Sequence, residues 1–291
     1  MTTQSRLADG VAARAHRATE SLHALIYFAD DAEHELVAAG LERGRMAYFA
    51  GRSAPMGAVP AAVTTATFVN FNPELIARHI PRAWTLATPD AVVAARWRGA
   101  DLALRRLLGA DVLASAELAE LAGLAREATT ALRPEGRPLY AAHAGLPEPD
   151  EAHLQLWHAA TLLREHRGDG HTMALTAAGL TGLESIVTHT ATGQGFTVQT
   201  AKALRGWSDA QWDAAVATLT ERGLMSGDEL TPAGMQLRAE LEQQTDELAS
   251  AAWLHLGEQR TARLIELGRG LSRIVAKAGA FPRHLFPPKA G

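Results

Sequence analysis

The stretch Leu156–His171 constrains the fold most, because two apolar helical turns lead directly into eight positions that hold six polar or charged side chains and two glycines. An apolar run of this kind predicts a helix packed on a core. Glycine accepts positive φ without strain, so we expect Gly168 and Gly170 to permit a sharp turn. Asp169 or His171 could then cap the helix that follows.

Helical geometry places four side chains of this stretch in two neighbouring rows. At about 100° per residue, positions seven apart lie nearly in line. His158 and Glu165 therefore share one face, and Trp157 and Arg164 form a second pair beside it. Several charged groups are thereby brought together next to apolar surface. This arrangement suits either paired charges at a helix end or the polar end of a ligand cavity.

The histidines of this stretch do not follow a usual metal-binding pattern. His166 and His171 are five positions apart, no H-E-x-x-H motif occurs, and the chain has no cysteine to supply a thiolate. We therefore predict no metal site and no cofactor. A metal or haem bound through histidine stays open as an alternative.

Composition indicates a soluble, mainly helical protein. The 291 residues are 47% hydrophobic and 21% charged, alanine is abundant, and aromatic residues make up only 5%. Residues 1–10 lack an apolar run, and no stretch reaches the roughly 20 apolar residues of a membrane span. We expect a cytoplasmic protein with no membrane partner. The net charge of −4 gives no general attraction to nucleic acid.

Two i, i+4 pairs in the first third of the chain are candidate site residues. His23 and Tyr27 share the apolar end of a helix predicted within residues 5–39, where a buried structural contact is the alternative to a site. Tyr48 and Arg52 share a face of the next segment, which Pro55 ends. Both pairs combine an aromatic hydroxyl with a group that can bind it.

Residues 61–73 fit either an extended segment or a buried helix. Threonine, valine and phenylalanine favour extension, whereas the small residues suit a helix. Asn72-Pro73 is a turn or helix-start signal. Asn70 and Asn72 lie beside phenylalanines and so need hydrogen-bond partners, which either the fold or a ligand could supply.

Two further features precede the Leu156–His171 stretch. Four arginines between residues 89 and 108 predict a basic patch, either a solvated face or a phosphate site; they are Arg96, Arg98, Arg105 and Arg106. Residues 133–150 are rich in proline and predict a loop, with Asp150 as the cap of the following helix.

Residues 172–250 show the element order of a winged helix-turn-helix domain: helix, short helix, turn, helix, small hairpin, long helix. Ser208 and Gln211 have the spacing of a capping box. Gly223 suits a helix end, and Thr231-Pro232 a helix start. Between these two points a tight turn predicts a short β-hairpin.

The end of this region resembles MarR-type winged-helix domains, through Thr218–Leu224 and Leu230–Gly234. The whole chain also resembles a family of uncharacterised actinobacterial helix-turn-helix proteins. The matching runs are His23–Phe28, Tyr48–Arg52, Phe71–Pro73, Trp157–His171 and Arg205–Ser208. These resemblances imply a fold and carry no activity with them.

Charge argues against DNA binding by this region. Residues 196–250 hold four cationic and nine acidic side chains, a net charge of −5. Phosphate contacts need cationic groups, and here Lys202, Arg205 and Arg222 are the candidates. The predicted recognition helix instead begins with Asp209 and Asp213. DNA is therefore a possible but disfavoured partner.

Residues 256–291 carry seven cationic and two acidic side chains, a net charge of +5. Their pattern predicts an amphipathic helix. We expect it to dock on the acidic 196–250 region or to pair between subunits in a homodimer, with phosphate contacts as the alternative.

We therefore predict a mainly α protein with a helical domain at 1–150, a winged helix-turn-helix domain with a short β-hairpin at 151–250, and a basic helix and tail at 251–291. The predicted function is that of a ligand-responsive transcriptional regulator. The alternative is a small-molecule-binding protein or enzyme that uses the winged helix as a scaffold, with His158, His166 or His171 and Glu165 as acid–base groups. No catalytic residue is assigned. The predicted ligand site, between the N-terminal domain and the Trp157–His171 helix, comprises His23, Tyr27, Tyr48, Arg52, Asn70, Asn72, Trp157, His158, Arg164, Glu165, His166 and His171.

Overall fold

The structure, a computed structural model, describes residues 10–282 and is mainly helical over that range. Nearly all of the polar start of the chain, residues 1–9, lies outside the described range. The basic residues Arg283 and Lys289 also lie outside it. The first nine α-helices are α1 (Val11–Ala24), α2 (Asp30–Ala38), α3 (Arg45–Ser53), α4 (Ala61–Thr67), α5 (Pro73–Ala77), α6 (Ala83–Leu86), α7 (Pro89–Leu113), α8 (Ala116–Thr129) and α9 (Pro138–Ala144).

The second half contains seven more α-helices and one antiparallel two-stranded sheet, in which Met225 pairs with Leu230. The elements are α10 (Ala152–Ala177), α11 (Gly182–Thr190), α12 (Val198–Arg205), α13 (Asp209–Glu221), β1 (Met225–Ser226), β2 (Glu229–Leu230), α14 (Pro232–Leu248), α15 (Ala251–Leu256) and α16 (Glu258–Lys277).

Local capping explains where the helices of the second half begin. Ser208 and Gln211 form the predicted capping box at the start of α13, and Thr231 caps α14, which has proline in its first turn. Thr181 and Glu184 form a second capping box on α11. Residues 61–67 form a helix, so the extended alternative for this segment is wrong.

Three hydrophobic cores hold the described residues together. The first joins α1, α7, α8, α10, α15 and α16 around side chains such as Leu22 and Trp157. The second lies around Phe49 and Phe71, and the third holds the region 174–241 together around Trp212. Since α10 contributes to both the first core and the third, it connects the N-terminal helices to the region with the hairpin.

The turn predicted at Gly168 and Gly170 is absent, because α10 runs unbroken through both. Gly170 serves a close approach instead: a Cβ there would lie 2.7 Å from Nη1 of Arg137. That guanidinium donates to the carbonyl of His166 within α10 and, at 2.8 Å, to that of Leu248 at the end of α14. The absence of a side chain at Gly170 therefore leaves space for the Arg137 guanidinium, which acts as a clamp between α10 and α14.

Three further expectations for the fold are wrong. Residues 133–150 are not all loop, since α9 begins at Pro138, a favoured first helical residue. Glu151, rather than Asp150, stands at the N-cap of α10. The predicted amphipathic helix is present as α16, but it packs against α1 and α8 rather than on the acidic region. Arg260 and Arg263 there pair with Glu127 and Glu120 of α8.

Candidate functional site

A cavity of about 380 Å³ lies between α1, α10, α14 and the segment 67–70. We call it the α1–α10 cavity. Five predicted site residues line it: Arg52, Asn70, Arg164, Glu165 and His171. Residues that the sequence did not single out complete its polar wall: His16, Arg17, Glu20, Arg167, Asp169, Glu242 and Thr245.

A buried carboxylate between two arginines forms one side of this cavity. Nη2 of Arg52 donates to both carboxylate oxygens of Glu165 at 3.1 Å, and Nη1 of Arg164 donates to them at 2.9 and 2.8 Å. Burial alone would raise the pKa of Glu165, but the charges of Arg164 and Arg52 outweigh it and hold the pKa well below its usual range. Glu165 is therefore ionised and committed to the arginines, so it does not act as the acid–base partner expected for a histidine.

A chain of buried hydrogen bonds fixes the tautomer of His23. The Thr161 hydroxyl donates to the carbonyl of Trp157 at 2.8 Å, so it accepts from Nδ1 of His23, 2.9 Å away. Nε2 of His23 is then unprotonated and accepts from the Tyr27 hydroxyl at 2.8 Å. Burial, the largest cause, lowers the pKa of His23 well below its usual value, which agrees with a neutral ring.

Tyr48 and Arg52 meet as the i, i+4 spacing predicts. Nη1 of Arg52 donates to the Tyr48 hydroxyl at 3.0 Å, and the Arg52 guanidinium carbon lies 4.3 Å from the centre of the Phe68 ring. Burial would raise the pKa of Tyr48, yet the charges of Arg52 and Arg205 outweigh it and lower the pKa to about 8. Arg52 thus links the Tyr48 side of the fold to the α1–α10 cavity.

Two polar atoms of residues lining the cavity have no hydrogen-bond partner among the described residues: Nε of Arg52 and Oε2 of Glu20. Arg52 is only 6% exposed. A buried polar atom without a partner costs about 1–3 kcal/mol, so such atoms are normally satisfied by water or a ligand. Two residues of the cavity wall thus retain an unsatisfied atom, a donor on Arg52 and an acceptor on Glu20.

Four titratable groups of the cavity, His16, His171, Asp169 and Glu20, are shifted towards their neutral forms, unlike Glu165. Burial is the largest cause in each case: it lowers the pKa of His16 to about 3 and of His171 to about 4, and it raises the pKa of Asp169 to about 6. The pKa of Glu20 is also raised, chiefly by burial. Nδ1 of His171 lies 2.9 Å from the Thr245 hydroxyl, which connects the cavity to α14.

Seven predicted site residues do not line this cavity. Trp157 is buried in the first core against Trp97, and His158 faces a different surface hollow beside α8. His166 packs edge-on against Tyr140. Asn72 caps α5 and donates its amide to the carbonyl of Gly206, in the turn between α12 and α13. His23, Tyr27 and Tyr48 lie behind the cavity wall and are not among its lining residues.

The three predicted DNA-contacting cations are engaged within the protein. Nζ of Lys202 pairs with Asp209 at 2.8 Å, and the guanidinium of Arg222 donates to the carbonyl of Gly179 at 3.1 Å. The Arg205 guanidinium carbon lies 4.1 Å from the centre of the Phe71 ring. These contacts compete with any phosphate contact at this surface.

Residues Asn70–Leu75 cover the turn between α12 and α13. The amide of Asn72 donates to the carbonyl of Gly206 at 2.9 Å and to Oε1 of Gln211 at 3.2 Å, while the indole of Trp207 donates to the carbonyl of Asn70 at 3.0 Å. A Cβ at Gly206 would lie 2.8 Å from the side chain of Leu75. The N-terminal helices therefore hold this turn directly.

Sequence reasoning missed Glu20, Asp169 and Arg96, of which the first two line the cavity. Arg96 does not belong to a basic surface patch, whether solvated or phosphate-binding, because it is only 5% exposed. The expectation holds for the other three arginines, which form surface ion pairs with Glu35, Asp101 and Asp31. The helical spacing indicates that Arg96 faces a different direction from Arg98 and Arg105, because these two lie about half a turn or more round the helix from it.

Within residues 10–282, none of the helices combines the length and the apolar character needed to cross a bilayer. Over the same range, no three histidine, aspartate or glutamate side chains come together as a group that could hold a metal ion. No curated protein and no solved structure matches the chain. Residues 12–282 do match a family described as a helix-turn-helix family, and the protein belongs to that family.

Proposed function

We propose that the protein binds a small amphoteric molecule in the α1–α10 cavity. The observation that carries the proposal is the pair of unpartnered atoms among its lining residues, Nε of Arg52 and Oε2 of Glu20. Arg52 would hold an anionic or hydrogen-bond-accepting group of the ligand, and Glu20 a donor. The volume of about 380 Å³ falls in the usual range of small-molecule sites.

The charges on the wall favour a ligand that carries both signs. Four arginines and four carboxylates line the cavity: Arg17, Arg52, Arg164, Arg167, Glu20, Glu165, Asp169 and Glu242. A purely anionic ligand would lie beside carboxylates, and a purely cationic one beside arginines, each at an electrostatic cost. An amino acid or a molecule of similar charge pattern avoids both.

We further propose that residues 182–248 form a winged helix whose position reports on the cavity. The β1–β2 hairpin is the wing in this interpretation. Arg167 and His171 of α10 line the cavity and also contact α14, through an Arg167–Asp246 ion pair of 2.5 Å and the His171–Thr245 contact. A ligand that shifts α10 would therefore act on the winged helix, as expected of a ligand-responsive regulator.

The family supports a DNA-binding output, whereas the charges of the described residues oppose it. Lys202, Arg205 and Arg222 are engaged internally, and α13 starts at the exposed Asp209. Arg205 would have to leave its stacking contact with Phe71 before its guanidinium could reach a phosphate. We therefore treat ligand binding as the primary function and DNA binding as conditional on a ligand-induced change.

Thermal denaturation of the full chain with each of the standard amino acids tests the proposal. A binding amino acid should raise the Tm of the wild type and shift Glu20→Gln much less, because that variant replaces the negative charge that would bind the ligand's ammonium group with a neutral amide. Glu135→Gln, an exposed loop change, is the matched control and should respond as the wild type does. The proposal is wrong if no amino acid shifts the Tm and freshly purified protein carries no bound small molecule in native mass spectrometry.

One observation favours the enzyme alternative. Asp169 lines the same cavity with a pKa raised to about 6, close to the range in which a carboxyl group works as a general acid or base. In that case a bound molecule would be converted, and Asp169→Asn would stop conversion without weakening binding. Recovery of the molecule unchanged after prolonged incubation would exclude this second function for the molecule tested.

A further inference from the structure

Arg96 is a buried cation that the α1–α10 cavity does not use. It lies in the middle of α7, and its guanidinium carbon stacks 4.7 Å from the centre of the Trp157 ring. Nη1 lies 3.4 Å from Nδ1 of His143, which is itself fully buried. Stacking and a neutral histidine hold the guanidinium in place, but neither supplies the negative charge that a buried cation needs.

Burial lowers the pKa of Arg96 and the Tyr27 hydroxyl near the guanidinium partly offsets this, but the two remaining nitrogens, Nε and Nη2, have no hydrogen-bond partner of normal geometry within residues 10–282. These two N–H groups lie on the same edge of the planar guanidinium and point in parallel. That edge is one of the two on which arginine binds a carboxylate through both oxygens. The geometry of the unpartnered atoms thus matches a carboxylate.

No carboxylate within the described residues forms an ion pair with Arg96. Glu165 acts on it only at longer range and is already bound by Arg52 and Arg164. Glu165 is thus shared by Arg52 and Arg164, Glu20 lies 3.7 Å from Arg164, and Arg96 has no ion-pair partner of its own among the described residues. An uncompensated buried charge costs several kcal/mol, so an anion is expected at Arg96.

Arg96 lines a second cavity, of about 170 Å³, between the Leu25–Tyr27 turn, α2, α3 and α7. Its walls combine three aromatic residues, Tyr27, Phe28 and Tyr48, with aliphatic side chains such as Ile26, Ala32 and Leu36. An engineered apolar cavity of about 150 Å³ is large enough to bind benzene. The space therefore suits one six-membered ring or a short aliphatic chain.

We infer that this second cavity, the Arg96 pocket, binds a small aromatic monocarboxylate of about the size of benzoate. The carboxylate binds the Nε–Nη2 edge of Arg96, and the ring packs between Tyr27, Tyr48 and the aliphatic wall. Asp30 and Glu33 also line the pocket, so a second negative charge on the ligand is disfavoured. This site is separate from the α1–α10 cavity and does not depend on the function proposed for it.

Titration calorimetry of the full chain with benzoate, at concentrations up to the millimolar range, tests the inference. Benzoate should bind with 1:1 stoichiometry, and the neutral isostere benzamide should bind at least about tenfold more weakly, because it cannot form the charged bidentate contact. Phthalate, which carries two charges, should also bind more weakly than benzoate. Absence of saturable benzoate binding, or equal binding of benzamide, would overturn the inference.

Variants at Arg96 separate binding from folding. Arg96→Lys keeps the charge but lacks the two parallel N–H groups of the guanidinium edge. It should therefore lower benzoate affinity about tenfold or more. Arg96→Met should abolish binding while the protein stays at least as stable as the wild type, because it removes an unpaired buried cation. Arg98→Met, two positions along α7 in an exposed ion pair, is the matched control and should bind benzoate normally. Normal binding by both Arg96 variants would place benzoate elsewhere and refute the site.

Discussion

Arg52 of α3 and Glu165 of α10 form a buried ion pair of 3.1 Å, although 113 positions separate them in the chain. Glu165→Gln would leave Arg52 and Arg164 facing each other without a compensating charge. Removal of one partner of a buried pair typically costs about 3–5 kcal/mol. We expect a loss of that size in the free energy of unfolding, measured by urea denaturation.

The exposed pair of Arg82 and Glu42 is the control for this change, since its side chains are 53% and 52% exposed. Glu42→Gln should cost much less than Glu165→Gln, because water screens the attraction between exposed charges. Equal losses in Glu165→Gln and Glu42→Gln would show that the buried pair is not a structural link.

Gly170 and Gly168 lie on the same helix but should respond oppositely to alanine. At Gly170 the new Cβ would collide with Arg137 and disrupt its clamp on α10 and α14, so we expect Gly170→Ala to destabilise the protein. At Gly168 the nearest atom is Oε2 of Glu165 at 3.7 Å, so Gly168→Ala should stabilise by about 0.5–1 kcal/mol. Thermal denaturation of both variants checks this, and a stabilising Gly170→Ala would contradict the clamp.

Asn72 holds the turn between α12 and α13, and two substitutions separate its roles. Asn72→Asp keeps the acceptor that caps α5 but removes the donors to Gly206 and Gln211. Amide hydrogen exchange at 205–211 should accelerate in this variant, because the turn loses its tie to the N-terminal helices. Asn72→Ala should add the loss of the cap, about 1 kcal/mol. Unchanged exchange in Asn72→Asp would mean that the turn is held by other contacts.

Acid should destabilise the protein through its buried histidines. Burial lowers the folded-state pKa of His158 and His166 to about 4 from an ordinary value of 6.5. The unfolded chain takes up these protons first, so the free energy of unfolding is undiminished above pH 6.5 and falls towards pH 4, by about 2–3 kcal/mol per histidine. Asp169 has the opposite effect on the free energy of unfolding: its folded-state pKa is raised to about 6, so its protonation in acid favours the folded state.

The histidine contribution is isolated by comparison of variants. Urea denaturation at pH 7 and pH 4.5 should show a smaller difference for His166→Asn than for the wild type, and a larger one for Asp169→Asn. A pH dependence that does not change in His166→Asn would show that this ring is not buried in its neutral form.

Lys202 should contribute little to any affinity for duplex DNA, because its amine is held by Asp209 and lies 5.4 Å from the centre of the Trp212 ring. Lys202→Met should leave fluorescence anisotropy titrations with duplex DNA unchanged at low and high salt. Asp209→Lys should raise non-specific affinity at low salt, since it adds a cation where α13 begins. Strong wild-type binding that depends on Lys202 would establish DNA as a direct partner of the ligand-free protein.

The parts of this fold that sequence predicts are those set by neighbouring residues. The capping box of Ser208 and Gln211 and the proline start of α14 involve groups within three positions, so their spacing is visible in the chain. The i, i+4 pairs of His23 with Tyr27 and of Tyr48 with Arg52 are visible for the same reason.

The parts that sequence does not predict depend on distant partners. Gly168 and Gly170 have the composition of a turn, and only the approach of Arg137 from α9 explains why the helix continues through them. Burial of Arg96 likewise depends on Trp157 and His143 coming from two other helices. Local spacing also misplaced Trp157, His158 and His166, because it assigns a face of the helix but not the neighbour that the face meets.

The continuity of α10 limits how the protein can be divided for experiments. Its 26 residues make a rod of about 39 Å, with Trp157 anchored at one end and Leu175 at the other in a different core. A fragment that begins at residue 151 would expose to water the apolar face of α10 that packs against α8. A fragment that begins at residue 172 would lack most of α10. We expect neither fragment to fold independently, so the two halves of the chain must be expressed and studied together.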